Sequence, residues 1–308
     1  MIDNEVDREL LEKIADMLGK PVGAFNIRKD SCCDSQQSTE HIQISNKTDG
    51  KAGIDIRIQD GTVDETCHIP VLITKPGIEE LVYNDFFIGE NCDVTIVAGC
   101  GIHNCGDAAS RHDGIHTFHV GRNSRVKYTE KHYGDGDGKG GRIMNPQTVV
   151  YLDEGASIQM ETTQIRGIDS TKRDTKIICG PGAEAVVTER LLTHGDQVAE
   201  SDMEIVLDGE GARGRVISRS VAQDQSSQVF YPRMVGNAAC FGHVQCDSII
   251  MGDAKIKSIP AITANCTEAQ LIHEAAIGQI AGDQLLKLET LGLTPEEAEE
   301  KILEGFLA

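Results

Sequence analysis

The chain of 308 residues carries 29 Lys and Arg against 49 Asp and Glu, a net charge of −20, with 4% aromatic residues and no Trp. A chain of this length can bury a substantial core, as one elongated domain or two ordinary ones. The acidic balance excludes a phosphate-backbone binder, which needs basic stripes to displace counterions, and so few rings exclude base- or sugar-stacking platforms.

The start, Met1-Ile2-Asp3-Asn4-Glu5, lacks a basic n-region and an apolar h-region, so no signal peptide is expected. No apolar run is long enough to predict a membrane span. The 10 cysteines then read as reduced thiols in metal or redox use, and the compartment as cytoplasmic.

Residues 3–19 are predicted to be a helix, with Val6, Leu10, Ile14 and Leu18 on one stripe and Leu11 and Met17 widening it. Asp3 or Asn4 would cap it and Gly19 would end it. Residues 28–65 are polar and turn-rich, with short strand-like pieces at 41–44 and 54–58. Cys32-Cys33 falls in what reads as an exposed loop, with no partner ligand nearby.

From about residue 70 a repeat sets the fold class. An apolar residue, a turn, Asn or Gly, a small residue and a β-run recur, with the Asn or Gly at Asn91, Asn123, Gly155, Gly182 and Gly211. The intervals are 32, 32, 27 and 29 residues. Asn and Gly share tolerance of the left-handed backbone region that a tight corner needs. Turn-plus-strand spacing with no helical period between predicts a mainly β chain, a β-solenoid of the parallel β-helix kind, with two coils per interval. A sandwich or barrel is the structural alternative.

The tail changes character. Residues 283–291 are predicted helical up to Gly292, and Thr294-Pro295-Glu296-Glu297 reads as a capped start for a second helix, with Ala298, Ile302, Leu303 and Phe306 on one face. The resulting αα-hairpin has more leucine than two short helices can bury, which marks a docking device. The expected organisation is an N-terminal helix and polar region over 1–69, a β-helix core over 70–275 and a helical docking segment over 276–308.

Three stretches carry candidate chemistry. Gly134-Asp135-Gly136-Asp137-Gly138-Lys139-Gly140-Gly141 fails the phosphate-loop spacing and reads as a surface loop. Cys100-Gly101-Ile102-His103-Asn104-Cys105, followed by His112, His116 and His119, offers a metal or sulfur site at Cys100, His103 and Cys105. The bland alternative is a corner with small residues inside and histidines on the surface. Strand alternation puts His112 and His116 on one face and His119 on the other.

The third stretch is the sharpest. Cys246, then His273-Glu274 27 residues later, places a thiol, an imidazole and a carboxylate on β-like segments, a donor set suited to iron or zinc. Cys246-Asp247-Ser248 with Gly252, His273-Glu274-Ala275, Gly282-Asp283-Gln284-Leu285 and a tail with Glu304-Gly305-Phe306 resemble the SufB/SufD family of iron–sulfur cluster assembly proteins. The resemblance is specific over 240–308, looser over about 89–240, and closest to compact single-subunit members.

The resemblance implies a right-handed parallel β-helix that dimerises through its last coils, here as a homodimer. It also implies that the C-terminal helices dock a SufC-type ABC ATPase through Leu285, Leu286, Leu288, Leu291, Ile302, Leu303 and Phe306. By the same resemblance, Cys246 is the cluster-assembly cysteine, Glu274 its partner carboxylate and His273 the neighbouring imidazole, the transient cargo being an iron–sulfur cluster. The position before the histidine, acidic in typical SufB members, is Ile272 here, and any role for that carboxylate is lost. The chain itself is expected not to be an enzyme. The rival functions are a β-helix carbohydrate enzyme and a metal-free structural solenoid.

Overall fold

The computed structural model of the protein describes residues 4–17 and 21–307. In chain order the elements are α1 (Glu5–Ala15), β1 (Ala24–Lys29), β2 (Cys32–Gln37), β3 (Ile42–Asn46), β4 (Gly53–Ile58), β5 (Val63–Ile73), β6 (Glu79–Ile88), β7 (Asp93–His103) and β8 (Ser110–Val120). There follow β9 (Arg125–Asp135), β10 (Arg142–Met144), β11 (Gln147–Leu152), β12 (Ser157–Arg166), β13 (Ser170–Cys179), β14 (Glu184–Thr193), β15 (Val198–Leu207) and β16 (Arg213–Ala222). The chain closes with β17 (Ser227–Gly236), β18 (Phe241–Ile250), β19 (Lys255–Ser258), β20 (Ala261–Ala264), β21 (Gln270–Gly278), α2 (Gly282–Glu289) and α3 (Pro295–Leu307).

Two parallel sheets run the length of the molecule, one ordered β2-β1-β5-β7-β9-β12-β14-β16-β18-β21 and the other β19-β17-β15-β13-β10-β8-β6-β4-β3. Asp93, Arg125, Ser157, Glu184, Arg213 and Phe241 stand opposite one another in successive strands. Each interval of the repeat is therefore one coil with a strand in each sheet, and the chain is a β-solenoid of about 8 turns. The expectation of two coils per interval is corrected here. Most strands are 10 or 11 residues long, so two strands and their corners fill the whole interval.

All five predicted corner residues, Asn91, Asn123, Gly155, Gly182 and Gly211, have φ between 55° and 74°. A second column of corners, Gly167, Gly195, Asp224 and Gly252, shares the same left-handed geometry. Pro146 and Pro260 break two strands of the second sheet into β10–β11 and β19–β20, because proline supplies no N–H to the ladder.

At the first end, β2 pairs antiparallel with β1, and β3 antiparallel with β4. The division expected at residue 70 falls inside β5, since β1 and β4 already continue the two sheets. Cys32 and Cys33 open β2 rather than lying in a loop; the turn before them is made by Asp30 and Ser31, both at positive φ. Both thiols are exposed.

Helix α1 lies over the outer face of this end. The Asn4 side chain accepts a hydrogen bond from the Asp7 N–H at 2.7 Å, and Leu10, Leu11 and Ile14 pack on Phe25, Ile27 and Leu72. The helix stops at Asp16, which turns left-handed (φ 53°), before Gly19; Asp3, Leu18 and Gly19 lie outside the described residues. Close approach explains Gly99: a Cβ there would sit 2.6 Å from the Ile14 carbonyl oxygen.

Alternate residues of every coil fill the interior. Much of that filling is apolar, with Phe86 stacked on Phe118 at 4.2 Å between ring centres. One stretch is ionic. Glu80 accepts from Arg28 Nε at 3.1 Å and pairs with His112 at 3.0 Å. Arg173 binds Glu130 and donates to His132 Nδ1 at 3.3 Å. Glu189 accepts from the Ser201 and Ser218 hydroxyls at 2.8 and 3.1 Å.

Burial pulls His116 down to about 4 and also lowers His132. Burial alone would raise Glu130, but Arg173 and His132 outweigh it and hold the carboxyl well below its ordinary value. In an unfolded chain the histidines titrate near 6.5. Between about pH 6.5 and 4 the unfolded chain therefore binds protons that the folded chain refuses, and stability falls as pH falls. His116 accounts for about 3 kcal/mol over that window. Urea midpoints measured from pH 7 to 4.5 should decline steeply, and His116→Leu should flatten the decline; an unchanged slope would refute the assignment.

Candidate cluster site and its family

Cys246 sits on β18 and His273 on β21, the last two strands of the ten-stranded sheet. In register Cys246 faces Ala275, so His273, two residues earlier, shares its inward face, and Cys246 Sγ lies 3.6 Å from His273 Nε2. The thiol is 2% exposed and joins the end of the core beside Val244 and Met234. Burial pushes it up to about 12. Burial, helped by His243, lowers His273. The pair is thus a buried neutral thiol beside a half-buried neutral imidazole.

Glu274 is not brought to them. It occupies the opposite face of β21 with Ile272, exposed, its Oε2 3.8 Å from His243 Nε2. Among the described residues no group of three or more His, Cys, Asp or Glu side chains could hold a metal ion. Among the described residues Cys246 and His273 therefore stand as a pair and not as a larger donor set.

The coil that covers this pair is bare. β21 and β20 are exposed almost throughout, and Ile259, Ile262, Ile272 and Ile277 are each more than a third exposed. Among the described residues no further strand pairs with the outer edge of β21.

Of the secondary candidates, His103 and Cys105 meet, Nε2 2.9 Å from Sγ, and Cys100 stands apart from them. Cys100 points into the solenoid, where burial and then the Glu80 and Glu130 carboxylates raise its thiol well above the ordinary value. Cys105 is exposed in the corner loop after β7. His112 and His116 are buried on the interior face and His119 points outward, stacked between Phe87 and Tyr151. The alternation is as expected, but His112 and His116 are core residues and not surface ones.

The family model for the SUF system FeS cluster assembly SufBD core domain matches residues 83–306. The chain belongs to the SufBD family. An iron–sulfur cluster assembly SufBD family protein of Methanocaldococcus jannaschii is 28% identical over 285 residues, 91% of this chain and 89% of the relative. One from Methanothermobacter thermautotrophicus is 25% identical over 244 residues, 77% of this chain and 58% of the relative. One from Archaeoglobus fulgidus is 26% identical over 244 residues, 78% of this chain and 64% of the relative.

The SufBD core ends in the two helices. Thr294 and Glu297 form a reciprocal cap for α3, Glu297 N to Thr294 Oγ1 at 3.2 Å and Thr294 N to Glu297 Oε2 at 2.8 Å. α3 lies on the solenoid: Leu303 and Leu307 pack on Val221 of β16 with Ile249 of β18, and Arg219 donates to the Phe306 carbonyl at 3.2 Å. Of the expected docking residues, Leu303 is therefore buried, Phe306 is partly buried in the same cluster, and Leu285, Leu288 and Ile302 are half-buried. Leu286 and Leu291 remain 59% and 74% exposed. No described helix is long and apolar enough to cross a membrane.

The sequence pattern missed the ionic interior and the acidic partner of His103. Asp135 stands opposite His103 in register, 32 residues on, which is the repeat interval itself. Treating native protein with iodoacetamide should label Cys32, Cys33 and Cys105 well before Cys246 or Cys100, with peptide mass spectrometry as readout. Early labelling of Cys246 would contradict its burial.

Proposed function

We propose that the chain is a scaffold on which iron–sulfur clusters are built and from which they are handed on, working as a homodimer with a SufC-type ABC ATPase in the cytoplasm. The observation that carries the reading is the Cys246–His273 pair, half a ligand set, sheathed by a single uncovered coil. A cluster normally takes about four protein ligands. A twofold contact between bare ends doubles the pair to two thiolates and two imidazoles. Exposed isoleucines and an unpaired strand edge support such a contact. Glu274 enters this scheme from the outer face, so its part lies in contacts across the seam or after β21 shifts.

Mixed sulfur and nitrogen ligation holds a cluster less firmly than four cysteines, which suits a protein that must release its product. The scaffold itself turns over no substrate, and ATP hydrolysis belongs to the partner. Leu286 and Leu291 are the free apolar contacts for that partner. α3 grips β16 and β18 through Leu303, Leu307 and Phe306, so movement of the helices pulls on the strand that carries Cys246.

Anaerobic addition of ferrous iron and sulfide should give the wild-type protein visible cluster absorbance. Cys246→Ser should lose most of it while its mass by light scattering stays unchanged. Full absorbance in the variant would overturn the site assignment. Replacing both Leu286 and Leu291 by Ser should weaken ATPase binding by about thirtyfold, the scale of losing a hydrophobic anchor worth about 2 kcal/mol. Undiminished binding of a folded variant would move the docking surface elsewhere.

A further inference from the structure

Strand β8 turns His112, Gly114 and His116 to the interior in succession. A Cβ at Gly114 would stand 2.8 Å from His116 Nε2 and 3.5 Å from His112 Nε2, so both imidazoles lean over the gap that the glycine leaves. The gap belongs to a cavity of about 20 Å³, room for one small occupant, which Asn84 of β6 also lines. Asn84 stands opposite His116 in register and is 4% exposed, and its Oδ1 has no hydrogen-bond partner among the described residues. An orphaned carbonyl oxygen in a core costs stability unless something fills its coordination.

The hydrogen bonds behind the two rings decide which nitrogens face the gap. His112 Nδ1 lies 3.0 Å from Glu80 Oε2; a carboxylate only accepts, so the neutral ring carries its proton on Nδ1. His116 Nδ1 lies 3.4 Å from the Tyr128 hydroxyl, which is itself hydrogen-bonded to Glu130. That hydroxyl donates to the carboxylate and accepts from His116 Nδ1. Both rings therefore present a bare Nε2 lone pair to the cavity, and Asn84 adds a third from oxygen. A water molecule has only two protons to offer three acceptors. A cation serves all three. The surrounding charge agrees, since the interior carboxylates Glu80, Glu130 and Glu189 outnumber the guanidinium groups of Arg28 and Arg173, three to two.

We propose that His112, His116 and Asn84 are the ligands of a buried site for one divalent first-row transition-metal ion. Imidazole nitrogen suits zinc, iron, nickel and copper, whereas magnesium and calcium take oxygen ligands. Glu80 and Tyr128 stand behind the ligating rings, where metal sites keep the groups that orient their histidines. The ligands come from β6 and β8, so the ion pins two neighbouring coils within the ionic stretch of the interior. Cys100 lines the same cavity, but among the described residues it completes no three-donor set with the histidines. The site shares no residue with the Cys246–His273 pair and does not depend on the function proposed above.

The test uses full-length Cys246→Ser protein, which removes the thiol of the other site, produced in minimal medium with cobalt(II) chloride and washed with EDTA to strip surface ions. Elemental analysis should find close to one cobalt per chain, with visible ligand-field bands and no thiolate-to-cobalt charge-transfer band. Gly114→Ala fills the gap and His116→Gln removes a nitrogen; each should retain about tenfold less cobalt, with an unchanged circular dichroism spectrum. If Gly114→Ala does not fold, His116→Gln, which leaves the backbone untouched, decides. Asn84→Asp, which turns the amide into a carboxylate, should keep its cobalt. A parent protein almost free of cobalt, a thiolate charge-transfer band, or full cobalt in folded His116→Gln would overturn the proposal. Cluster assembly at Cys246 is read in separate protein, so failure of either site leaves the other's result readable.

Discussion

A stack of parallel coils can satisfy the backbone of each strand only with the coils above and below it. Such a stack has no way to close, and its two ends must be dealt with by other means. At the first end the protein turns two strands antiparallel and lays α1 across the outer face. At the other end it does nothing of the kind. β21 carries an unpaired edge and exposed isoleucines, with the Cys246–His273 pair directly beneath. The two ends are therefore unlike: one is finished, and the other leaves the Cys246–His273 pair beneath a single exposed coil.

Burial does two jobs at Cys246. It keeps the thiol protonated, and it takes the sulfur out of contact with solvent. α3 is joined to the same region by packing and by the Arg219 contact, so the last helix and the strand of Cys246 share one packed cluster.

The corners were readable because left-handed geometry restricts residue choice; Asn91, Asn123, Gly155, Gly182 and Gly211 announced themselves and all five hold that geometry. The capped start of α3 was readable for a similar reason, since Thr294 and Glu297 solve a local problem. The number of coils per interval was not, because strand length leaves little trace when outward and inward residues are both mixed in polarity. The ionic interior was hidden by the same mixing: Glu130, Arg173 and Glu189 look like surface residues until three different coils bring them together. Cys246 and His273 were legible as a pair, whereas the strand alternation that turns Glu274 to the opposite face was in the sequence and was overridden by the family pattern.

The regular pitch of the rod sets a distance that no side chain can shorten. From β7 to β18 the ten-stranded sheet takes five steps, and at about 4.8 Å per step the two thiol-bearing strands are roughly 24 Å apart along the axis. Cys105 and Cys246 of one molecule therefore never touch. The coil spacing alone keeps the two sulfurs apart, whatever rotamers they adopt.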